Sequence, residues 1–451
     1  MENENKQNDS WWGEENKNNE KLTSGDDKDK KVVLDDGGAK KKKFAIEMSA
    51  GVLLILVVVL ASVLTVMRPW ENNSNNTDDG GDDSAVVEDE EIEIDEEIVA
   101  LDNTELTSGT VTTTIGGKSI TYKGAYVVDG ITATIGSGTY ESLNDDEVVF
   151  LVINGGQLTV QGDVEINKTG SANFSGRGDN YSFYGTNSAI VVVGEGSSVT
   201  INGATITSNV SGANAVVATN GGEAEVKNTI IETTKDNSRG LHATYGGEIT
   251  ANNVAISTQG GSCAALATDR GAGTVKATNM RLSTAGAGSP LIYSTGVITV
   301  ADSTGVATGA QIAVVEGKNS INLTNCEFST NGVGNRNNVD NAAVMIYQSM
   351  SGDASVGTGS FTAKDCTLKV LASSSVYDTT PFFFITNTDA TINLDNVTAE
   401  FSGNEYFISA LGTSEWGKSG SNGGKVTVTA NGLSATNTKV EVDNISSVSG
   451  I

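Results

Sequence analysis

From about residue 110 onward, small or apolar residues fall at alternate positions in short runs, and the runs recur every 23 to 26 residues where no insertion intervenes. Val199, Ala224, Ile249, Val275, Ile298, Ile321, Phe361 and Ile392 mark the first position of this repeat. Two residues on stand Ile201, Val226, Ala251, Ala277, Val300, Leu323, Ala363 and Leu394. Seven residues on, six of the eight repeats carry Ile206, Ile231, Ile256, Leu282, Phe328 and Leu368. A period of two predicts strands with one buried face. The place four after the first reads Gly203, Asn228, Asn253, Asn279, Asp302, Asn325, Asp365 and Asn396. These residue types tolerate a left-handed backbone or bond their own main chain in a turn. A bend is therefore predicted there in every repeat, with asparagine amides stacked into a ladder. A second short strand closes each unit, as in "NAVVATN", "RGLHATY", "AALATD", "PLIYST", "IAVVEG", "AVMIYQ" and "FFFITN". With no leucine-rich consensus and no helical period, the pattern predicts an all-β, parallel solenoid in which each coil hydrogen-bonds to the next.

The N-terminal part has other patterns. Residues 1–43 are polar, nearly balanced in charge and without a hydrophobic period, which predicts a disordered tail. Its "WWGEEN" at Trp11–Asn16 is the one feature there that could serve as a short binding motif. Met48–Met67 is an unbroken low-polarity run of the length that crosses a bilayer as a helix, and residues 44–68 are read as a transmembrane signal anchor. Lys40–Lys43 precede the run and only Arg68 follows it, so the N-terminus is expected in the cytoplasm and the remainder outside the cell. Residues 71–105 hold fifteen acidic residues and no basic one, so 69–109 are expected to form a self-repelling stalk before a solenoid over 110–451.

Composition changes this picture little. The net charge of −28 argues against a nucleic-acid partner, which needs clustered Lys and Arg. Three cysteines are too few for a disulfide framework, and a single histidine excludes most histidine-based metal sites. Cys326 and Cys366 occupy the fifth position of successive coils; they are either stacked core thiols or an inter-coil bridge. His242, between the inward Leu241 and Ala243, is predicted by alternation to face solvent.

The stretch "NSRGLHATYGGEITANNVAIST", Asn237–Thr258, resembles the coils of right-handed parallel β-helix proteins of the pectin-lyase-like superfamily. It is most similar in character to adhesin-like surface proteins and carbohydrate-binding β-helices of gut microbes. That superfamily contains lyases, hydrolases, esterases and non-catalytic adhesins, so the resemblance implies the fold and leaves the activity open. Polygalacturonase-like members would imply Asn-Thr-Asp, Asp-Asp, Gly-His-Gly and Arg-Ile-Lys in that order. The chain has Asn387–Asp389, but neither of the last two motifs, and Asp145–Asp146 precedes it. Pectate-lyase-like members would imply an Arg-x-Pro, which does not occur. Asp302, Asp365 and Asp389 fall near turns of different coils, and sequence does not pair them as glycoside hydrolysis requires. No catalytic residue, cofactor or metal is expected.

The insertions are the candidate ligand sites, since solenoids carry binding on loops that leave the coil. "NKTGSANFSGRGDNYSFYGTNS" offers Phe174, Tyr181, Phe183 and Tyr184, rings suited to the apolar face of a sugar, or equally to pinning the loop on the rod. It also holds Arg177-Gly178-Asp179, a tripeptide that integrin-binding proteins display. Later insertions bring Tyr406 and Trp416. The expectation is a non-catalytic, membrane-anchored, adhesin-like protein of the cell surface that binds polysaccharide or another surface. The alternatives are a polysaccharide lyase or glycoside hydrolase on the same fold, and a plain spacer.

Overall fold

The computed structural model describes residues 103–172, 176–331, 342–349, 354–371, 381–402, 405–412 and 424–451. The tail, the Met48–Met67 run, most of the acidic stretch, Phe174 and Trp416 lie outside the described residues. Among the described residues, no helix is long and apolar enough to cross a membrane.

The described chain is a parallel β-helix. One sheet has thirteen strands in the order in which the chain visits them, one per coil, all parallel except the first pair. A second, bent sheet takes the rest of each coil. Its strands Ser198–Ser208, Glu223–Thr233 and Gly247–Thr258 run straight through the corner, whereas the next coil splits there into Gly273–Thr278 and Arg281–Thr284. Neighbouring coils are in register as the repeat predicts: Val199 lies beside Ala224, Ala224 beside Ile249, Ile249 beside Val275, and so on to Ile392. At the spacing of about 4.8 Å per coil the stack is roughly 50 Å long.

The corner residues explain the bend. Gly162, Gly203, Asn228, Asn253, Asn279, Asp302, Asn325, Asp365, Asn396 and Gly432 all have φ between 49° and 90°. That conformation costs an ordinary L-residue about 1–2 kcal/mol, and a short amide can recover part of it by hydrogen bonding. Asn253 Nδ2 donates to Asn228 Oδ1 at 2.7 Å, and Asn228 Nδ2 to Asn202 Oδ1 at 2.7 Å. The ladder is not a single column, however. Asn279 donates at 2.9 Å to Asn252, the neighbour of Asn253, and Asn325 and Asn396 donate to Asp302 and Asp365, which accept but cannot pass the chain of bonds on.

Inside, aliphatic residues of both sheets form one continuous core from Val128 to Val428; in the later coils Phe382 stacks on Phe407, and Phe383 meets Phe361, Phe382 and Phe407 edge to face. Buried threonines serve the remaining turn. The hydroxyls of Thr233, Thr258 and Thr330 bond the carbonyls of Ser238, Cys263 and Ala310 at 2.5, 2.5 and 2.7 Å.

The two ends differ. At the N-terminal end Gly109–Ile115 pairs antiparallel with Lys118–Asp129 on the edge of the first sheet. Thr104 N donates to Thr134 O at 2.8 Å and Asn103 Oδ1 accepts from Gly136 N at 2.6 Å, covering the edge of the bent sheet. The fold thus includes residues before the 110 boundary expected from the sequence. At the other end Val442, Ile445 and Ile451 stand exposed on the last coil.

Candidate functional site on the outer face of the first sheet

Between its terminal strands, the first sheet is buried on both faces. Val148–Ile153, Ile190–Val193, Val216–Thr219 and Leu241–Thr244 are buried at every residue. Unbroken apolar runs such as "VVFLVI" and "IVVV" have the composition of two-sided burial rather than of a half-wet strand. Among the described residues, two pieces of chain cover the outer face of the early coils. The hairpin of Gly109–Ile115 and Lys118–Asp129 brings Ile115, Ile120 and Tyr122 onto it, and the first insertion brings Phe183 and Tyr184, packed against Leu151, Val191 and Val217.

The insertion ends in a single wide helical turn, Asn180–Tyr184, stopped by Gly185 at φ 71°. A buried turn this short leaves carbonyls that need donors. Each of four has one. Asn214 Nδ2 donates to Tyr181 O at 3.2 Å, His242 Nε2 to Ser182 O at 2.9 Å, Thr244 Oγ1 to Phe183 O at 2.8 Å, and Tyr122 Oη to Tyr184 O at 2.8 Å. His242, expected to face solvent, is fully buried. The alternation was read correctly; what lies outside the sheet is protein rather than water. Burial, helped by the positive charge of Arg239, pushes the imidazole well below its ordinary pKa and keeps it neutral.

The remaining insertion residues are tied down in the same way. Tyr181, Phe183 and Tyr184 are buried, and their rings pin the loop. Arg177 and the Tyr181 hydroxyl both bond Asp146. Asp179 pairs with Arg270 at 3.3 Å, and the Arg270 guanidinium lies 3.7 Å from the centre of the Phe183 ring. Both charged members of the Arg-Gly-Asp tripeptide are therefore engaged within the molecule. Tyr245 completes the cover. Its ring stacks on Tyr184 at 5.3 Å, and side chains at Gly116 of the hairpin and at Gly271 would collide with it. Tyr245 adopts φ 47°, where most coils use a small residue, so the backbone is strained to place that ring. Tyr406 is 40% exposed on a later coil and is not brought near these groups.

Further along the same face stands a polar cluster that sequence reasoning missed. Tyr293 Oη and Tyr347 Oη donate to Glu316 Oε2 at 2.5 and 2.9 Å, and Ser349 Oγ donates to Glu316 Oε1. Arg239 and Asp269 lie 3.6 Å apart with both side chains fully buried. Burial raises the Tyr293 and Tyr347 hydroxyls well above the usual tyrosine range, with Glu316 as the next cause, so both remain donors. Their signal was present in the repeat: the closing strands "HATY", "ATD", "YST", "VVEG" and "MIYQ" place Thr244, Asp269, Thr295, Glu316 and Tyr347 in one outward file. Asp269 and Glu316 thus flank the strand of Tyr293, two coils apart, a Cα separation of about 10 Å. Among the described residues no group of acidic, histidine and cysteine side chains is arranged to hold a metal ion.

The bent sheet contrasts with this closed face. Its outward rows are accessible, and from Thr274 to Asn393 two adjacent rows read Thr274, Val297, Ser320, Ser360, Thr391 and Lys276, Thr299, Asn322, Thr362, Asn393. One charge in ten positions is sparse for a chain of net charge −28.

No protein-family model matches the sequence, and no curated protein matches it. Among solved structures, the chain is similar to the catalytic domain of a GH87 alpha-1,3-glucanase in complex with nigerose, at 11% identity and a TM-score of 0.29. The match covers 71% of this chain and 62% of that one. The register of its own strands is what defines the protein as a parallel β-helix.

Proposed function

We propose that the protein is a membrane-anchored, adhesin-like and non-catalytic rod that binds polysaccharide along the solvated face of its bent sheet. The observation that supports this is the accessible field of hydroxyl and amide side chains from Thr274 to Asn393, repeated at the coil spacing. Such groups match the hydroxyl rim of neutral sugars, and each coil adds the same contacts again, as multivalent binding requires. The apolar run Met48–Met67 supports the anchor. Tyr406, and Phe174 and Trp416 outside the described residues, remain candidate sugar-stacking rings, whereas Tyr181, Phe183 and Tyr184 hold the cover in place. A glycan array probed with the full chain tests the reading. Binding to neutral glycans that is lost on Thr299→Asp or Thr362→Asp supports it, and a blank array overturns it.

A second reading, a glycoside hydrolase, has one specific observation in its favour: two carboxylates, Asp269 and Glu316, stand on one face on either side of the Tyr293 strand, and glycoside hydrolysis uses a pair of carboxylates. Against it, Glu316 already accepts three hydroxyls and Asp269 already faces Arg239. Polysaccharide turnover that disappears in Glu316→Gln or Asp269→Asn, with thermal stability retained, would replace the first reading by this one.

A further inference from the structure

Cys326 and Cys366 sit one coil apart at the residue that follows the left-handed corner. Their flanks fix the register, with Leu323 beside Ala363, Thr324 beside Lys364 and Glu327 beside Thr367. The Cys326 amide N lies 3.4 Å from Cys366 Sγ. Adjacent coils stand about 4.8 Å apart, inside the Cα range of a disulfide. Both thiols are buried, yet Thr324, Asn325, Lys364 and Asp365 beside them are exposed, so the pair lies just beneath an outer corner.

We propose that Cys326 and Cys366 are a covalent cross-linking site, forming an inter-coil disulfide that locks these two windings together. Cys366 is the attacking group. The Cys326 amide donates to its sulfur at 3.4 Å, and hydrogen bonding from Cys326 holds the Cys366 thiol below the usual cysteine range. The co-reactant is a low-molecular-weight disulfide. The Cys366 thiolate attacks one of its sulfurs, forming a mixed disulfide and expelling one small thiolate. Cys326, after losing its proton to solvent, attacks Cys366 Sγ and expels the second. The two protein sulfurs are oxidised, the external disulfide is reduced to two thiols, and the protons end on those thiols. Cys263 is an internal control, since burial pushes its thiol up to about 12 and its neighbours in the stack are Ser238 and Ser289. The link would close the segment between the two coils, insertion included, and so restrict the unfolded chain.

The test is intact mass and peptide mapping of the full chain after incubation with oxidised glutathione, followed by denaturation and alkylation. The expected product has lost two hydrogens, alkylates only at Cys263, yields a linked Cys326–Cys366 peptide, and unfolds at higher temperature than the reduced chain. Cys326→Ser should trap a glutathione adduct on Cys366, because the resolving thiol is gone. The wild-type mass alone decides if that variant fails to fold. Three alkylatable thiols after oxidation, including oxidative refolding, would overturn the proposal. So would a bridge to Cys263 or a bridge between two chains.

Discussion

The two sheets are built from the same chain with the same alternation, yet their outer faces have opposite fates. On the bent sheet every second residue meets water. On the first sheet the outward residues His242, Tyr293, Met345 and Tyr347 are as buried as the inward ones. Over the early coils the difference lies in segments far away in sequence, the hairpin around Gly116 and the insertion around Tyr184, which cross over to cover them; Tyr293, Met345 and Tyr347 pack in a separate cluster with Ala342 and Phe384. A repeat therefore specifies which side a residue faces, and only the non-repeating parts decide what that side faces.

Substitutions can break or sharpen this contrast, beginning with the largest effect. Arg239→Ala leaves Asp269 buried without its guanidinium and should cost about 3–5 kcal/mol in chemical denaturation. Phe183→Ala removes a ring from the cover and the seat of Arg270; about 3 kcal/mol is expected, and only if the insertion is packed rather than loose. At the bend, Asn253→Ala loses a ladder bond and forces alanine to φ 55°, a cost of about 2 kcal/mol that Asn253→Gly should largely spare.

Next comes a pH effect. The folded pKa of His242 is depressed and the unfolded one is ordinary. As pH falls below about 6.5 the unfolded chain takes up a proton that the folded chain refuses, so stability drops by about 1.4 kcal/mol per unit until the folded pKa is reached. Above 6.5 the imidazole adds no slope. His242→Gln, compared with wild type between pH 6.5 and 5.5, should remove that component. The smallest effect belongs to the open face, where Thr299→Ala should change stability by less than about 0.5 kcal/mol. A larger loss there would mean that the bent sheet is covered too.

Much of the fold was legible. The positions of Val199, Asn228 and Ile256 within the repeat were enough to set strand register, the corner and the inward face, because each is a local requirement of backbone or burial. The stacked place of Cys326 and Cys366 follows from the same register. What was not legible depends on distance along the chain. Nothing near His242 announces that its partner is Ser182 O, sixty residues earlier. Nothing local separates an exposed aromatic insertion from a pinned one; the structure buries Tyr181, Phe183 and Tyr184. Asp269 and Glu316 stand at the ends of closing strands, where nothing local distinguishes a buried carboxylate from a solvated one. The apolar runs "VVFLVI" and "IVVV" in earlier strands of the same sheet are the available hint that it is buried twice.

Because the chain has one histidine, a single imidazole resonance reports on the covered face without ambiguity. An NMR titration of the untagged protein from pH 8 to pH 5 is the most direct test. The account predicts a neutral ring, protonated at Nε2 and unshifted across the whole range in which the chain stays folded. A resonance that titrates near pH 6.5 in the folded protein would mean that the outer face of the first sheet is open to water, and the contrast between the two sheets would fail with it.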